Sequence, residues 1–306
     1  MKYNFLLIVI FFSCTAAPSQ NEVSLTQSFA IGDTYQFEVK RGKEDSRNPA
    51  SKGVFTVTSA TATVSGAKKD ERIVTFKYGE SRIVGVVVPP EVAEQVKNQE
   101  LYYGIEISLK VDSQGNFLGL SNYDEAKQQI GNAMIKMYER KGNKMEEAVF
   151  NQVRQQLAVT FDTEEKLLDT YFPELSLYFN AFGNSYIRDK PQELTYETTN
   201  PFGGEAFPMS ASVVYNDLIG TTAIIKGEEK INQEDLRRIM VATFKKIAQG
   251  MGKLFDEAEI PAFNMSTASE IRYDTKSNSL RSVSINKHIT TVGIEQNVIT
   301  EIKMLD

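Results

Sequence analysis

The sequence predicts an α+β fold: two tandem, related antiparallel β-units joined by a helical insert. Three observations carry that expectation. Short stretches alternate apolar and polar residues and are separated by turn signals, the period of half-buried strands in a meander. The helices are grouped rather than alternating with strands, the longer ones falling in residues 122–180 and 232–251. The chain also repeats itself. Ala30-Ile31-Gly32-Asp33-Thr34-Tyr35 returns as Ala181-Phe182-Gly183-Asn184-Ser185-Tyr186, and Gly53-Val54-Phe55 returns at Gly204-Glu205-Ala206-Phe207. Asp112-Ser-Gln-Gly-Asn116 returns as Asp274-Thr-Lys-Ser-Asn278. Echoes in one order across a chain point to an internal duplication, here with an insertion in the second copy.

The N-terminus precedes both units. Lys2 is followed by the unbroken apolar run Phe5 to Phe12 and then by Ser13-Cys14-Thr15-Ala16-Ala17-Pro18. A positive start, a short apolar run and small residues make residues 1–17 a secretory signal, and the run is too short to span a bilayer. Cys14 is the only cysteine and stands where a lipoprotein carries its lipidated cysteine, so cleavage falls before Cys14, or after Ala17. The expected location is the cell envelope, as a periplasm-facing outer-membrane lipoprotein or a secreted periplasmic protein, with the membrane as a partner through the lipid anchor. Without a disulfide, the folded part depends on core packing. Residues 18–28 are polar and patternless and read as a tether.

The first β-unit spans 29–121. Tyr35, Phe37 and Val39 alternate with Gln36, Glu38 and Lys40 in a strand, and the charged stretch 41–52 reads as a loop. Val54 to Val64, Val74 to Tyr78 and Ile83 to Val88 continue the sheet, and Glu91 to Gln99 follows Pro89-Pro90 as a short helix. Tyr103 to Val111 is the clearest strand. Asp112 to Asn116 turns it back into Phe117 to Leu120, Gly115 supplying a positive φ and Asp112 an acceptor for the turn amides.

The helical insert spans 122–180. Ala126, Ile130, Ala133, Met134 and Met137 keep helical spacing, as do Met145, Ala148, Val149, Val153 and Leu157. A third helix opens at Asp162 and Glu165 in capping-box spacing and ends at Pro173. Leu175 to Phe182 is apolar and leads into the second unit, 181–306. There Leu194 to Thr198, Met209 to Tyr215, Thr221 to Lys226, Glu270 to Tyr273, Leu280 to Thr290 and Val298 to Leu305 read as strands. Asn232 caps an inserted helix, 232–251, whose Leu236, Ile239, Met240, Phe244, Ile247 and Met251 form one stripe.

At Asn200-Pro-Phe-Gly-Gly204, in the Thr- and Val-rich strands after it, and at the Tyr273-Asp274…Leu280 turn, the chain resembles a family of uncharacterised Gram-negative (Bacteroidota-type) envelope lipoproteins of unknown function. The family usually has tryptophan at the position of Tyr186, and this chain has none. The resemblance implies an envelope location and a related fold, and it carries no catalytic residue over.

The net charge is −6, which argues against a nucleic-acid surface. The single histidine, His288, shares a strand face with Ser282, Ser284 and Asn286 and reads as a solvated surface residue. One histidine and no thiol past Cys14 leave no zinc set. Ser65-Gly-Ala-Lys68 has the spacing of penicillin-recognising enzymes but not their helical context. The Asp112 and Asp274 turns lack the closing carboxylate of a calcium loop. Arg237, Arg238, Lys245 and Lys246 read as a solvated face, with anionic headgroups as the alternative. No catalytic, cofactor-binding or metal residue is assigned. The expectation is a non-enzymatic envelope lipoprotein that holds an apolar or lipid ligand. The alternatives are a structural or interaction lipoprotein, and a hydrolase of envelope glycan or lipid.

Overall fold

The computed structural model describes residues 21–68, 70–87, 89–90, 103–140, 163–198, 205–250, 254–257, 263–291 and 293–305. Signal residues 1–17 with Cys14, the helix expected at 91–99, the second helix of the insert and the Asn200–Gly204 turn lie outside these residues.

The first half contains β1 (Glu22–Ser24), β2 (Thr34–Asp45), β3 (Phe55–Lys68), β4 (Glu71–Val84), β5 (Glu106–Asp112) and β6 (Phe117–Leu120). Then come α1 (Tyr123–Arg140), α2 (Glu164–Tyr171) and α3 (Pro173–Asn180). The second half contains β7 (Ser185–Ile187), β8 (Gln192–Thr198), β9 (Phe207–Ile219) and β10 (Thr222–Ile231). It closes with α4 (Gln233–Gly250), β11 (Asn264–Asp274), β12 (Ser279–Thr291) and β13 (Ile294–Met304).

The expected α+β class is overturned. Of the described residues 54% are strand and 23% helix, and eleven strands form one antiparallel sheet in the order β6-β5-β4-β3-β2-β13-β12-β11-β10-β9-β8. The last strand returns to pair with β2, so Ile302 lies opposite Val39 and Met304 opposite Phe37. That pairing fuses the two halves into a single sheet. The helices between them do not form a separate insert: α3 lies against β12 and β13. The echoed stretches take corresponding places. Phe55 and Phe207 open β3 and β9, and the Asp112 and Asp274 turns join β5 to β6 and β11 to β12.

Cross-strand register places one residue of each strand in a common row on the inner face. The row Val39, Ile302, Val283, Ile271 and Ile225 continues to Tyr215. Beyond it the rings of Phe29, Phe37, Phe76, Tyr178, Phe179 and Phe182 pack mostly edge to face, and all are buried. The segment expected as a tether is folded from Glu22 onward, a correction. β1 pairs with β7, and Val23, Leu25 and Gln27 are buried because they close this end of the core.

Local rules account for the element ends. Asn232 Oδ1 accepts from the Glu234 and Asp235 amides and starts α4. α2 is capped by Thr163, whose hydroxyl accepts from the Lys166 amide. Pro173 begins α3 rather than only ending α2, since proline suits the first helical turn. Asp112 Oδ1 accepts from the Gln114 and Asn116 amides, with Gly115 at φ 93°. In the second turn Asn278 takes the positive φ. Gly183 sits at φ 79° with Asn116 Oδ1 only 2.5 Å from where a Cβ would stand, so the second hexapeptide packs on the first turn.

Core tyrosines make one prediction. Burial pushes the Tyr178 and Tyr186 phenols up, Tyr186 to about 12, and burial with the Asp33 carboxylate raises Tyr35. The fold therefore favours the protonated phenols. For Tyr186 that contribution is complete below the ordinary phenol value near 10 and is lost as pH rises through about 12. Absorbance at 295 nm should show a late, cooperative step coincident with unfolding. Gradual titration of all 13 tyrosines near pH 10 in folded protein would contradict this.

Candidate functional site: the inner face of the sheet

Burial on the inner face stops at one row. Next to the buried Val39 row stands Arg41, aligned with Thr300, Ile285 and Ser269. One row further stand Lys43, Val298, Lys287 and Thr267, and then Asp45, Gln296, Ile289 and Met265. On the other side Arg41 lies opposite Thr56, which faces Ile83. Most of these side chains are half-buried, whereas the neighbouring row is closed. At the far end of the sheet burial resumes, where Phe207, Met209 and Ile231 pack with Leu236, Ile239 and Met240 of α4. A band of apolar, hydroxyl, cationic and acidic side chains, most of them half-buried but Lys43 exposed, thus lies between two packed clusters.

The band is bounded by one buried charge. Glu174, in the first turn of α3, has no exposed side-chain surface. Its carboxylate accepts from the Arg41 guanidinium at 2.5 and 3.2 Å and from the Tyr78 hydroxyl at 2.5 Å. Arg41 also donates to the Tyr171 carbonyl at 3.4 Å. A buried carboxylate needs such partners, since losing its water shell costs several kcal/mol on the order of an ion's effective desolvation penalty. Lys43 and Lys287 differ: neither ammonium has a carboxylate partner among the described residues. The band therefore offers two cations beside Ile285, Ile289 and Val298.

A second polar anchor lies deeper. The Tyr178 hydroxyl is 3.0 Å from both Gln27 Oε1 and the Leu280 carbonyl, and Gln27 Oε1 accepts from the Leu280 amide at 3.2 Å. α3 is thus fixed to the sheet at Glu174 and again at Tyr178.

The residues singled out from sequence lie elsewhere. His288 is on the outer face, part-buried, with Nδ1 2.9 Å from Asn297 Oδ1 and Nε2 3.0 Å from Thr290 Oγ1. Ser65 and Lys68 both belong to β3, not to a helix. Arg238 is held by Glu205 at 2.7 and 3.0 Å, and Arg237 reaches Glu257 at 3.5 Å. The Asp274 carboxylate serves its own turn and Arg281, which together hold it well below the usual carboxylate range. Among the described residues no group of three or more His, Cys, Asp or Glu could hold a metal ion. Sequence reading missed Arg41, Lys43 and Lys287 as a set. Only the odd-numbered parity continuing from Tyr35, Phe37 and Val39 into Arg41 and Lys43 signalled the first two.

No protein-family model matches the chain, and no curated protein matches it.

Proposed function

We propose that this protein is a non-enzymatic envelope lipoprotein that holds a lipid bearing an anionic group on the inner face of its sheet. The observation that carries the reading is the band, where the exposed Lys43 and the half-buried Lys287 stand beside Ile285, Ile289 and Val298 without carboxylate partners among the described residues. An acyl chain would lie along the apolar positions, and its carboxylate or phosphate would meet the two ammonium groups. Burial of each methylene stabilises such a complex by about 0.8 kcal/mol. Anchoring through Cys14 belongs to the same proposal, and the resemblance at Tyr273-Asp274…Leu280 supports it.

The test is organic extraction of the protein purified without detergent, followed by mass spectrometry. Wild type should release an anionic lipid at close to one per chain. Lys43→Glu/Lys287→Glu should release at least about tenfold less, equivalent to about 1.4 kcal/mol of binding. A ligand-free wild type would sink the proposal. In the same cells a fatty-acid label should be incorporated by wild type and lost in Cys14→Ser.

A further inference from the structure

We propose that β8 is a docking edge for an extended segment of a partner protein that alternates cationic and apolar side chains. Among the described residues the sheet ends in two unpaired edges, β6 and β8, and these are built differently. β6 has four residues, a register shift against β5 and Gly119 at φ 142°. Glu164 of α2 reaches over it and accepts from the Leu120 amide at 2.8 Å. Shortness, irregularity and a covering group are how an edge is kept from recruiting strands.

β8 has none of these. It is seven residues long, pairs with β9 in unbroken register from Gln192 to Thr198, and contains no proline, lysine or bulge. Among the described residues no strand pairs with its outer side. Leu194 is 52% exposed, and Glu193, Thr195 and Glu197 are exposed too. A strand added here would gain main-chain hydrogen bonds, with specificity coming from alternate side chains.

Those side chains specify the occupant. One face of β8 presents Glu193 and Glu197, and the other presents Leu194 and Tyr196 beside Ala211 and Met209. Opposite-charge pairs stabilise neighbouring strands, and like charges directly opposite destabilise them. A second copy paired about Thr195 would set Glu193 against Glu197 on both sides of the axis. The edge therefore disfavours its own copy in that register and favours lysine or arginine on one face with apolar residues on the other.

The experiment uses the full mature chain and two labelled seven-residue peptides, one alternating lysine and valine and one alternating glutamate and valine. Fluorescence anisotropy should show the cationic peptide binding at least tenfold tighter, and more weakly as salt is raised. Hydrogen exchange should slow at residues 192–198 when it binds. Glu193→Lys/Glu197→Lys changes two exposed side chains and should reverse the preference, with the thermal unfolding midpoint as the check that the fold is kept. Equal binding of both peptides, or none at millimolar concentration, overturns the proposal. So does a concentration-dependent dimer abolished by the double variant, which would assign the edge to a second copy.

Discussion

Arg41→Met should lower stability by about 3 to 5 kcal/mol, because it leaves the Glu174 carboxylate in the core with only the Tyr78 hydroxyl. The lower end applies, since the Arg41 side chain keeps 19% of its surface exposed and water screens part of the pair. In a cooperative sheet of this size that corresponds to a fall in Tm on the order of 10 °C. Differential scanning calorimetry measures it. Arg41→Met/Glu174→Leu should recover most of the loss, because replacing both partners by apolar groups removes the buried charge along with the attraction. A single variant melting within about 1 °C of wild type would show that the pair does not hold α3 to the sheet.

Phe179→Ala should be comparably costly, at about 3 to 5 kcal/mol. Phe179 is at the centre of the aromatic core, its ring 5.4 Å from Tyr178, 5.9 Å from Phe29 and Phe76, and 6.0 Å from Phe182. Truncation leaves a void that four rings from three parts of the chain cannot collapse into without moving α3. Urea unfolding should show a lower midpoint at unchanged slope, and Phe179→Leu should lose less than about half as much. A loss below about 1 kcal/mol for alanine would mean that α3 is loosely seated.

Much of the sheet was legible from local alternation. Tyr35 to Val39, the Glu106 to Val111 part of the strand expected from Tyr103, and the two Asp turns read correctly because one face is buried and the turn chemistry is short-range; Tyr103 and Gly104 instead form a turn ahead of that strand. The cap of α4 was legible for the same reason. α3 was not. Leu175, Leu177, Tyr178 and Phe179 give no polar face to reveal a period, and the helix is buried between sheet and aromatic rings, so its surroundings decide its form. The union of the halves was hidden too, since β2 and β13 lie at opposite ends of the chain and nothing local in either strand names its partner. The inner-face band depended on that register. Arg41 and Lys43 looked like the start of a charged loop because charges on a core face break the alternation used to recognise strands. They belong to a strand that runs on to Asp45.

The β2–β13 seam also sets a timetable. Along the chain β2 is the first strand of the large sheet, yet the strand that completes its outer side is the last of the described strands. Until Ile294 to Met304 is available, β2 remains an open edge that other unfinished chains can occupy. Pairing of such high sequence separation is slow. The sheet is therefore finished late, and its most vulnerable interval ends only when β13 closes the seam.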